Sequence, residues 1–224
     1  MWSLAAIRPG YSRAEYVSDA VVHVLGVIAV LVAVPILITL ATYWREDPGA
    51  IVGIVIYGLG LAAMITCSAL YNINRRRRWH SVLQRLDHSA IYIKIAGTYT
   101  GFTLMAGTPA SYLLAGIWGA AIAGTGLKLF DPTRFRALAI ALYLGMGWAG
   151  VIAGWAIFSQ MSPPVLSLVL AGGLIYTAGV VFYLCDRLMF HNTIWHVFVL
   201  VASMAFFTAV TWQMIETAPQ FAAL

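Results

Sequence analysis

The chain has 224 residues, 62% of them hydrophobic and 9% charged, with 13 basic and 8 acidic side chains and a formal net charge of +5. A soluble domain carries about 25% charged residues, so these few cannot cover a water-facing surface, and most of the outside must meet hydrocarbon. Composition therefore excludes a soluble globule, and the basic excess suits anionic lipid head groups rather than nucleic acid or a soluble partner.

Seven apolar runs follow one another at about 20–42, 50–71, 89–105, 111–127, 137–158, 164–185 and 195–212. Each is near the roughly 20 residues that cross a bilayer. They predict an all-α, integral membrane bundle of seven helices forming one domain over 1–224, with six as the rival count. The first run is longer than a signal-peptide core and predicts a retained helix. Gly107 and Pro109 predict a tight turn between the third and fourth. Cys67 and Cys185 sit near the ends of apolar runs and imply no disulfide framework. Gly97-x-x-x-Gly101 and Gly150-x-x-x-Gly154 put small residues on one helix face, a packing signal.

Orientation follows from the basic residues. Arg8 and Arg13 precede helix 1, Arg75 to Arg78 and Arg85 join helices 2 and 3, Lys128, Arg134 and Arg136 join 4 and 5, and Arg187 joins 6 and 7. Those 11 fall on one side, against Arg45 alone on the other, with Lys94 inside helix 3. The bias predicts a cytoplasmic N-terminus and a C-terminus on the far side.

Polar residues at membrane depth are costly unless paired or wet, so their placement is informative. Glu15, Asp19 and His23 are spaced four apart at the start of helix 1, and Ser68 and Asn72 close helix 2. Asp87 and His88 open helix 3, and His191, Asn192 and His196 open helix 7. With the predicted topology all four groups fall at cytoplasmic helix ends. Capping accounts for single members: Asp19 and Asp87 suit helix N-termini, and Asn72 a C-terminal end. Asn192 and His196 share a face, with His196 a turn deeper than capping reaches. His191 points about 140° away from His196 and is expected among head groups, while His80 and His88 read as interfacial. Lys94, two turns below Asp87 on nearly the same face, is expected either to pair with an acid or to snorkel.

The stretches Cys67-Ser68-Ala69-Leu70-Tyr71-Asn72, Arg85-Leu86-Asp87-His88, Ala96-Gly97-Thr98-Tyr99-Thr100 and Ile194-Trp195-His196-Val197-Phe198-Val199-Leu200 resemble signature segments of the bacterial hemolysin III family. Ser18-Asp19 and His23-x-x-Gly26 extend the likeness into helix 1. That family is grouped with the progestin and adipoQ receptors and is similar to the alkaline ceramidases. The resemblance implies seven helices, a cytoplasmic N-terminus and residence in a bacterial inner membrane. For the receptors and ceramidases it implies a zinc held by one histidine of helix 2 and two of a His-x-x-x-His motif in helix 7. A serine and an aspartate there assist hydrolysis of a lipid amide.

Carried over by position, Ser68, Asp87 and His196 match as catalytic residues, with His196 also a metal ligand. Asn72 and Asn192 stand where two ligand histidines are implied, Phe206 where many relatives have another histidine, and Gly101 where a proline often stands. Neutral amides are poor zinc ligands, so a site of His196 and Asp87 loses most of its affinity unless His23 completes it. Asn72, Asn192, Asp19 and Lys94 are then expected as polar pocket residues. Two functions follow: a membrane protein sensing or adjusting lipid state, with membrane lipids as its partners, or a lipid amide hydrolase.

Overall fold

The computed structural model describes residues 11–74, 76–107 and 111–219. Arg8, Arg75 and Pro109, used above for orientation and the turn, lie outside them. Seven long helices follow in chain order: α1 (Arg13–Trp44), α2 (Pro48–Ile73), α3 (Arg77–Ala106), α4 (Ser111–Phe130), α5 (Arg136–Ala153), α6 (Pro163–Leu184) and α7 (His191–Glu216). A single extra turn, Trp155–Phe158, stands between α5 and α6.

Short connections make the helices alternate in direction, and consecutive ones pack together. α7 returns to α1 and so closes the ring, while α3 also touches α5 and α7. The outer faces of α1 and α6 expose Val24, Leu31, Leu174 and Val181, surface that suits only hydrocarbon. The inward stripe of α1, at spacings of three and four, is Asp19, His23, Gly26, Val30, Val34, Leu37 and Ala41.

Six of the seven helices, all but α3, are long and apolar enough to cross a membrane. α3 falls short because it carries Lys94 and the Gly97-Thr98-Tyr99-Thr100-Gly101 run. It can afford both, since Tyr92, Lys94, Ala96, Tyr99 and Phe102 are buried among the other helices. Backbones approach closely there. A methyl group on Gly97 would lie 3.1 Å from the Ile56 carbonyl oxygen, and one on Gly53 would lie 3.0 Å from Leu104 Cβ. The small residues of Gly97-x-x-x-Gly101 thus seat α3 on α2.

Several helix ends depart from expectation. α1 starts at Arg13, capped by Ser12, whose hydroxyl accepts from the Glu15 amide (3.2 Å) while Glu15 accepts from the Ser12 amide (2.8 Å). Asp19 is therefore inside the helix and not its cap. α3 begins at Arg77 rather than near 89, so Asp87 is likewise no N-terminal cap. The fifth predicted helix breaks at Gly154, one turn after the Gly150 amide donates to the Tyr99 hydroxyl (2.7 Å). α7 starts at His191, four residues before the apolar run.

Polar residues staple both ends of the bundle. At one end Arg85 donates to the Leu129 carbonyl, Lys128 Nζ to that of Pro132 (3.0 Å), and the Phe190 amide to Glu15 Oε1 (3.1 Å). At the other, buried Arg45 donates to the Thr217 hydroxyl (2.6 Å).

Candidate functional site

One cavity of about 750 Å³ runs into the bundle from the end that holds Glu15, Lys128 and Arg136. Its walls near that end are His23, Ser68, Asn72, Asp87, Asn192 and His196. Further in come Lys94, Thr98, Tyr99, Phe102, Trp148, Phe158, Tyr176 and Phe206. Of the polar residues singled out in the sequence, Glu15 and Asp19 are not part of this wall. Glu15 caps α1, and Asp19 stands directly behind two residues that line it.

Asp19 Oδ1 accepts a hydrogen bond of 2.6 Å from His196 Nδ1, joining α1 to α7. One turn on, His23 Nδ1 lies 2.7 Å from the Asp19 backbone carbonyl. That oxygen can only accept, so Nδ1 donates, and in the neutral ring Nε2 is then the acceptor. There it accepts a hydrogen bond from the Ser68 hydroxyl at 3.2 Å. The two imidazoles meet edge to face with centroids 4.3 Å apart. Ser18 extends the α1 to α7 seam through the Thr193 hydroxyl (3.1 Å).

Asn72 donates its amide to the Ser68 carbonyl (2.9 Å), which serves the carbonyl-rich end of α2 as expected for a C-terminal position. Asn192 faces the cavity from the first turn of α7. Asp87 is 9% exposed and lies near Cys67 and Tyr143.

Lys94 does neither of the things expected of it. It is 3% exposed, so it does not snorkel, and among the described residues its ammonium contacts two aromatic faces rather than an acid. Nζ is 4.6 Å from the centre of the Tyr176 ring and 4.5 Å from that of Phe206. Tyr176 is fixed in turn by the Ser203 hydroxyl (2.7 Å). This cation between two rings has no local sequence signal, since its partners are on α6 and α7. His191 lines the cavity mouth, its ring 6.2 Å from that of Tyr11. His88 likewise lines the mouth, held by the Pro132 carbonyl (3.2 Å).

The zinc set implied by the resemblance would draw on positions 72, 192 and 196. Two of these are neutral amides, which offer a metal only an uncharged carbonyl oxygen. That donor set does not fit zinc.

A bundle of seven helices with lipid-facing sides and a polar-ended central cavity defines a multi-pass α-helical membrane protein. Residues 13–207 match the Haemolysin-III related family, and the chain belongs to it. It is 36% identical over 200 residues to a hemolysin-3 homolog of Bacillus subtilis (strain 168), covering 88% of this chain and 92% of that one. It is 35% identical over 206 residues to hemolysin-3 of Bacillus cereus, covering 91% and 94%. The human monocyte to macrophage differentiation factor is 28% identical over 172 residues, covering 73% and 71%.

Proposed function

We propose that the protein binds a membrane amphiphile in the central cavity and acts in sensing or adjusting membrane lipid state. The observation that carries this reading is the polarity gradient of one continuous cavity. Imidazoles, amides and a carboxylate line its mouth down to the Lys94 ammonium, and Phe102 and Phe158 line the apolar depth. A head group at the first and an acyl chain at the second would leave neither surface unmatched. The 11 to 1 distribution of loop basic residues supports a cytoplasmic cavity mouth, and the Bacillus relatives support a bacterial inner membrane.

The test is native mass spectrometry of the detergent-purified chain with added oleic acid or a long-chain ceramide. One molecule should bind per chain, and Val169→Trp, which fills the inner part of the cavity, should abolish it. Equal binding to wild type and Val169→Trp would overturn the proposal.

A second reading, hydrolysis of a lipid amide, is favoured by one geometric feature. Asp19 holds His196 by Nδ1, so the other ring nitrogen can act as a base, and His196 shares the cavity wall with Ser68 and Asp87. Release of fatty acid from ceramide that stops in both His196→Gln and Ser68→Ala would establish it.

A further inference from the structure

We propose that α1 and α7 together form a divalent-metal site whose ligands are Asp19, His23 and His196, none of them at positions 72 or 192. Each of the three offers one donor atom, and these atoms all lie within 4.8 Å of one another. The residues are 4%, 5% and 9% exposed, so they are withdrawn from bulk water.

The protonation pattern suits a cation. The Asp19 carbonyl, 2.7 Å from His23 Nδ1, holds that ring's proton there, so Nε2, which accepts from Ser68, is the donor atom the ring would offer a metal. A metal-binding histidine characteristically gives its second ring nitrogen to a carbonyl or carboxylate in this way, which fixes tautomer and ring orientation. The other imidazole, His196, has Nδ1 2.6 Å from Asp19 Oδ1. Donors around a tetrahedral ion at about 2.0–2.1 Å stand about 3.3 Å apart, so this contact opens by roughly 0.7 Å when the ion replaces the shared proton. Ser68, 3.2 Å from His23 Nε2, gives up that nitrogen and turns towards the cavity.

Two imidazoles and one carboxylate match zinc, and with less preference ferrous iron or manganese. Three protein ligands leave a fourth position, and His23 and His196 open it to the cavity. A dication also offsets the charge of a carboxylate buried in a spanning helix.

The full chain, purified without added metal and with its affinity tag removed, is loaded with zinc or cobalt(II), desalted and assayed for metal content. About one ion per chain is expected, with occupancy falling about tenfold or more in Asp19→Asn, His23→Gln and His196→Gln. Asn72→Ala and Asn192→Ala should keep it. Folded wild-type protein that holds no ion overturns the proposal, as does full occupancy in the first three variants or loss in the last two. Should the ligand variants fail to fold, X-ray absorption of zinc on the wild-type chain decides. Two imidazoles and an oxygen donor are expected, and a shell with fewer than two imidazoles overturns the assignment. Metal content does not depend on bound lipid, so this site and the lipid reading succeed or fail separately.

Discussion

Asp19 on α1 and His196 on α7 are 177 positions apart in the chain and 2.6 Å apart in space, and their contact closes the helical ring. Removing one partner of a buried pair of this kind costs about 3 kcal/mol. His196→Ala should destabilise the detergent-solubilised protein by about that amount in an unfolding titration. A double-mutant cycle with Asp19→Asn should show a coupling of about 2 kcal/mol. Additive effects would mean that the two side chains do not act as a pair.

Lys94 bears on the choice of ligand. Its ammonium lies within the cavity wall against two rings, so a bound carboxylate would gain a charge-assisted hydrogen bond in a dry setting. Lys94→Met is expected to weaken oleate binding about tenfold while leaving a neutral ceramide within about twofold. Equal losses for both probes would remove Lys94 from head-group recognition.

Close approach of α2 and α3 depends on missing side chains. Gly97→Ala places a methyl group 3.1 Å from the Ile56 carbonyl oxygen and should cost about 1–3 kcal/mol. Gly116 on α4 has nothing within 4 Å of an added methyl group, so Gly116→Ala should remain within about 1 kcal/mol of wild type. Thermal unfolding of the two variants side by side measures the contrast.

Glu15 serves two places at once, the α1 cap and the Phe190 amide. Glu15→Ala should cost about 1–2 kcal/mol. Hydrogen exchange should quicken both in the first turn of α1 and at Phe190, whereas an effect confined to α1 would exclude the second role.

At the bundle end, Arg136 holds both Asp186 oxygens at 3.2 Å. These hydrogen bonds keep the Asp186 carboxyl below the usual carboxylate range. A depressed folded-state pKa stabilises above the unfolded value of about 3.9, and the contribution is lost as pH falls through the folded value. The pair is solvent-exposed, so Asp186→Asn should cost less than about 1 kcal/mol at pH 7. The difference from wild type should shrink as pH falls below the unfolded value and vanish once the folded carboxyl is protonated. A difference that persists there would assign the effect to packing.

Helix number is legible in the sequence because hydrocarbon thickness imposes a length on each apolar run. Helix ends are not, because hydrogen bonding continues past the apolar stretch: α3 extends through Arg77 to His88, and Asp87 becomes a cavity wall instead of a cap. The residue types of the site are visible for the same reason, since polar side chains at depth are rare. Their partners are not. Nothing local marks Asp19 for His196, or Lys94 for Tyr176 and Phe206, because each pairing depends on which helices become neighbours. His23 and Asp19 could be linked as i and i+4 neighbours, but the tautomer needed the carbonyl that the helix aims at the ring.

The central position of α3 also has a consequence for how the chain is made. A lysine near the middle of a span costs about 2.5–3.5 kcal/mol at the insertion step, and α3 has polar hydroxyls besides. Alone in the translocation channel it would partition poorly into lipid. In the folded bundle that cost is removed, because the glycines of α2 receive α3 on one side, α4 covers it on another, and Lys94 is 3% exposed.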